Sequence, residues 1–143
     1  MVTQTPVEVS EEFAGAIQDI INALRYHEDP ALRYMLANIP IYAQWEPTGP
    51  QRRAGGCPNC TYLGLWANQW PGYTQTQHGI IWLFERGIRG KAQHEGIDLY
   101  DATAGVLLHE LDHALQRDHI LESLYPTVKE RRVRIAPCLK RPC

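Results

Sequence analysis

Apolar residues recur at three- and four-residue steps from Ser10 to Arg25 (Phe13, Ala16, Ile17, Ile20, Ile21 and Leu24), the period of a helix with one buried stripe. Ser10 stands where an N-cap belongs, because its hydroxyl can accept from an otherwise unpaired backbone N–H of the first turn. Asp29-Pro30 opens a second, shorter helical piece through Met35. The pattern then changes. Ile39–Trp45 is β-branched and aromatic enough for an edge strand despite Pro40, and Gly49, Pro50, Gly55 and Gly56 mark a loop. Thr61–Trp66 reads as a strand, Trp70–Tyr73 as a turn, and Gly79–Glu85 as the most strongly apolar strand of the chain. Gly87, Gly90 and Gly96 punctuate a connection ending at Asp101. That carboxylate can cap a helix running from Ala102 through at least Leu115, with Leu107, Leu108, Leu111, Ala114 and Leu115 on one face.

The expected architecture is α+β: a small three-stranded sheet packed on an N-terminal helix and on the helix that begins near Asp101. At 143 residues one core is expected, and a hydrophobic share of 44% supplies it. No apolar run reaches membrane-spanning length, and Met1–Pro6 lacks the features of a signal peptide. The expectation is therefore an intracellular protein, cytoplasmic or otherwise, without membrane contact. Charge divides the chain in two. Six basic residues against Glu130 give residues 129–143 a local +5, which leaves −7 on residues 1–128 of a chain with formal charge −2. A domain over 1–128 with a basic, cysteine-bearing tail over 129–143 packed on it follows. Nucleic acid is a possible partner of that tail but not the favoured one, since short basic runs are most often simply solvated.

The last helix carries His109-Glu110-Leu111-Asp112-His113, an H-E-x-x-H sequence. At about 100° per residue, the two histidines lie about 40° apart and one turn along, so both rings can reach one ion. Zinc accepts neutral imidazole and, with a third protein ligand, keeps a fourth position for water. Glu110 beside it can take the water's proton and pass it to a leaving amine. The plainer alternative is a pair of solvent-facing histidines on a surface helix. Asp112 is either a surface residue or a carboxylate that receives the other ring hydrogen of a ligand histidine.

The run His109–His119 resembles the extended zincin pattern of metzincins and Wss1-like proteases, in which a third histidine follows H-E-x-x-H after six residues. The resemblance implies a zincin-like fold, a catalytic Zn2+ held by His109, His113 and His119, Glu110 as general base, and a peptide or protein substrate. It covers about a dozen residues. Two features depart from it. Gln116 stands where metzincins have a helix-ending glycine, and no methionine follows the motif. A helix continuing to Leu124 would carry His119 about 15 Å along the axis from His109, and the third ligand would then be Glu122, His78, His94 or a loop cysteine. The same five residues also match the H-E-x-D-H box of peptide deformylases, with Gly56-Cys57 a partial match to the cysteine context of that family. The function expected is zinc-dependent peptide hydrolysis. Its alternatives are a structural or assembly protein retaining the fold and metal, and a deformylase-like amide hydrolase.

Four cysteines form two close pairs, Cys57/Cys60 and Cys138/Cys143. The spacing suits a second, structural Zn2+ held by all four thiolates, or disulfides, or free thiols. Trp45, Trp66, Trp70 and Trp82 read as packing residues before cleft residues. His27 and His78 read as surface residues, and His94 as a loop residue in reserve as a ligand.

Overall fold

A computed structural model describes residues 9–25, 30–57, 59–73 and 78–114. They form five helices and a three-stranded sheet: α1 Glu11–Leu24, α2 Pro30–Asn38, β1 Ile41–Gln44, α3 Gly49–Ala54, β2 Gly64–Ala67, β3 Ile80–Phe84, α4 Glu85–Glu95 and α5 Leu99–Ala114. The strand order is β1-β3-β2, with β1 parallel and β2 antiparallel to β3. The mixed helix-and-sheet class is thus as expected. The tail at 129–143, the 1–128 boundary and Leu115 lie outside the described residues.

β3 is central and wholly buried, which explains its unbroken apolar run: a strand covered on both faces has no polar side to show. Ile81 and Leu83 join the core shared with α1, α2, α4 and α5. Ile80, Trp82 and Phe84 point the other way, into a smaller aromatic layer with Tyr73 that is flanked by Trp70, Tyr42 and Tyr62. Trp82 meets Trp70 and Tyr73 edge to face at 5.5 and 5.4 Å between ring centroids, a favoured aromatic geometry. Trp82 is therefore packing, as expected, while Trp45, Trp66 and Trp70 are half-buried.

α5 differs from the one-faced helix of the sequence reading. It touches α1, α4, β2 and β3, so the residues from Asp101 to Leu108 are buried without a break. A helix enclosed by neighbours has little need of a polar face, and the small Ala102, Ala104 and Gly105 permit the close approach. Its start is also earlier. Asp101 lies inside the first turn, and Asp98 caps it, accepting from the Asp101 N–H at 2.8 Å.

Two helices occupy stretches read as loops. α3 starts at a capping box, in which the Thr48 hydroxyl accepts from the Gln51 N–H and the Gln51 side chain accepts from the Thr48 N–H. Buried Gln51 also exchanges two hydrogen bonds with Gln44 of β1, at 3.0 and 3.1 Å, which ties α3 to the sheet. α4 follows β3 with no intervening residue and stops at Gly96, whose φ of 68° is a left-handed C-cap. Its Gly87 is needed for space, because a Cβ there would overlap the Tyr62 carbonyl. α2 runs three residues beyond the expected Met35, to Asn38.

Glu85, the first residue of α4, is 2% exposed and binds the start of α1. Its carboxylate accepts from the Ser10 N–H at 2.8 Å, the Ser10 hydroxyl at 2.7 Å and Arg89 Nε at 2.6 Å. Burial alone would raise its pKa. The hydrogen bonds from Ser10 and the neighbouring Arg89 guanidinium outweigh burial and hold the carboxyl below the ordinary glutamate range. A depressed carboxyl stabilises the fold at pH values above its unfolded pKa, and that contribution is lost as pH falls through the folded value. Glu85→Gln is expected to lower stability at neutral pH by about 1.5–3 kcal/mol, as for a hydrogen bond to a charged group. The gap to wild type in urea melts should shrink below about pH 4.3. A gap that stays constant down to pH 3 would show that ionised Glu85 contributes nothing particular.

Candidate active site

His109, Glu110 and His113 occupy the last turns of α5 and leave it in two directions. His109 is half-buried and His113 exposed, with their Nε2 atoms 3.2 Å apart and their rings edge to face at 4.8 Å. The one-turn spacing thus brings two imidazoles together, as the sequence implied. Glu110 turns inward and is 6% exposed. It lies against Gly64, the first residue of β2: a Cβ at Gly64 would stand 3.0 Å from Glu110 Cγ, 3.1 Å from Glu110 Oε2 and 3.0 Å from Val106 Cγ1. The absence of a side chain at position 64 is what lets strand and carboxylate meet. Asp112 is fully buried, which removes the surface reading of that residue.

The structure overturns the zinc expectations. Among the described residues no group of three or more His, Cys, Asp and Glu side chains is placed to hold a metal ion. α5 presents two ring nitrogens, while Glu110 and Asp112 are drawn into the packed interior. The reserve ligands do not join them. His94 sits exposed in the last turn of α4, not in a loop. His78 is partly buried with its ring edge-on to Tyr34, at 5.5 Å between centroids, and is not the surface residue expected. Among the described residues the donor set does not complete a zinc centre. A second, structural zinc fails for a different reason: Cys57 and Cys60 are joined as a disulfide, so neither sulfur is a thiolate ligand. The disulfide alternative holds for that pair. His119, Glu122, Cys138, Cys143 and His27 lie outside the described residues.

Gly64 is the site residue that sequence reasoning missed. A glycine at the head of a strand signals a close approach by something, but nothing local says that the visitor is Glu110, 46 positions later. Gly64→Val is expected to cost about 1–3 kcal/mol by overpacking, measured by urea denaturation. An unchanged midpoint would show that Glu110 does not pack there.

No family model, curated protein or solved structure matches this chain. Among the described residues no helix is long and apolar enough to cross a membrane.

Proposed function

We propose that the chain hydrolyses peptide bonds, with Glu110 as general base, on a zincin-like arrangement of sheet and motif helix. The supporting observation is the carboxylate of Glu110 set against the head of β2, with two imidazoles converging on the adjoining turn. β2 pairs with β3 alone among the described strands, so its other edge carries no strand partner among them. Glu110 takes the proton of the attacking water and returns it to the leaving amine. His109 and His113 supply ring nitrogens that orient the water and the carbonyl oxygen.

The test is a digest of a peptide library by the purified full chain, with new N-termini identified by mass spectrometry. Cleavage is expected, and it should be lost when His109 and His113 are both replaced by alanine. N-formyl peptides included in the same digest should keep their formyl group, and deformylation without cleavage would transfer the site to the amide-hydrolase alternative. A library left intact by wild type would favour a structural role for the chain.

A further inference from the structure

The Cys57–Cys60 disulfide closes the loop between α3 and β2, and Cys60 is exposed. It forms part of the wall of a cavity of about 220 Å³ whose lining also includes Glu46, Arg52, Tyr62 and Arg86. Both guanidiniums reach the same carboxylate oxygen, Glu46 Oε2, at 3.6 Å from Arg52 and 2.8 Å from Arg86. Two cations against one anion leave the cavity with net positive charge next to an exposed cysteine of the disulfide. Arg52 Nη1 also donates to the Cys60 carbonyl at 2.8 Å, which fixes the disulfide at the cavity wall.

The loop is tied to the proposed reaction centre through Tyr62. The Tyr62 hydroxyl accepts from the Cys57 N–H at 2.9 Å and donates to the Arg52 carbonyl at 3.0 Å. Its own carbonyl is wedged against Gly87. The next residue, Leu63, accepts from the Phe84 N–H at 2.9 Å, and the one after is Gly64, against Glu110. Three consecutive residues thus connect the cysteine loop, the end of β3 and the general base.

We propose that Cys57–Cys60 is a thiol–disulfide exchange site for an anionic thiol docking in the cavity beside Arg52 and Arg86, and that opening it loosens the start of β2. The thiolate attacks Sγ of Cys60, the S–S bond breaks, and Cys57 leaves as a thiolate that takes a proton from water. A second thiol attacks the mixed disulfide, so that two thiols are oxidised to one external disulfide while the protein gains two thiols. The effect on hydrolysis rests on the function proposed above; the exchange chemistry does not.

The experiment treats the full chain with 3-mercaptopropionate, which is anionic, or 2-mercaptoethanol, which is neutral. Reduction at Cys57 and Cys60 is followed by alkylation and peptide mapping, with each rate normalised to that on bis(2-hydroxyethyl) disulfide. The anionic thiol should gain about threefold from one net charge a few ångströms away, and the gain should vanish in 0.5 M salt and in Arg86→Gln. Equal normalised rates, or a preference unchanged in Arg86→Gln, would overturn the docking site. Amide exchange at residues 63–67 should rise about tenfold on reduction if the loop anchors that strand, and an unchanged rate would overturn the coupling. Peptide cleavage that is absent in both redox states would sink the hydrolase reading alone, because the thiol and amide-exchange measurements still decide this one.

Discussion

Replacing Glu110 by glutamine is expected to slow peptide cleavage by about 10²–10⁴-fold, the usual contribution of a positioned general base, while leaving the fold intact. The amide has nearly the shape of the carboxylate, so the close approach to Gly64 survives. It cannot accept the water's proton at neutral pH. The buried position of Glu110 makes the experiment informative, because a larger or apolar replacement would disturb the α5–β2 contact and mix a packing loss with a catalytic one. Cleavage kinetics on a peptide selected from the library digest, with circular dichroism as the control for folding, separate the two. Equal rates for wild type and variant would remove Glu110 from the chemistry.

The largest effect on stability is expected at Phe13. Its ring is fully buried in the core between α1 and the helices beneath it, and its N–H donates to the capping Ser10 hydroxyl at 3.1 Å. Phe13→Ala removes the ring and leaves a cavity, at a cost of about 3–5 kcal/mol. That is a large fraction of the roughly 5–15 kcal/mol available to an ordinary domain. Phe13→Leu keeps most of the volume and should lose about 1.5 kcal/mol or less. Urea midpoints at constant slope report both values. A loss below about 1 kcal/mol for the alanine variant would mean that α1 is not docked through this ring.

Both residues are legible as candidates in the sequence, and the reason is periodicity. α1, β3 and α5 each bury a pattern long enough to dominate its local sequence, so their positions and the one-turn pairing of His109 with His113 follow from it. α3 and α4 did not stand out because glycine and proline read locally as breakers. In α3 the proline sits in the first turn, where its missing N–H costs nothing. In α4 the glycine is required by a carbonyl from a distant loop, a contact no local window contains. The cysteine pair was ambiguous for a chemical reason. A two-residue gap brings sulfurs close enough either to share an ion or to bond to each other. The inward turn of Glu110, and with it the lack of a third converging ligand among the described residues, depends on where β2 lands.

The junction at Glu85 carries a consequence for how this sequence can diverge. One carboxylate there answers two hydrogen bonds from Ser10 and one from Arg89, and Arg89 in turn reaches the Ser10 hydroxyl at 3.0 Å. Glu85 is the buried member, so a change at Ser10 or Arg89 removes hydrogen bonds from a carboxylate with little access to water. Descendants of this chain should therefore keep Ser10, Glu85 and Arg89 as a set or exchange them as a set, so that positions 75 and 79 residues apart along the chain vary as though they were neighbours.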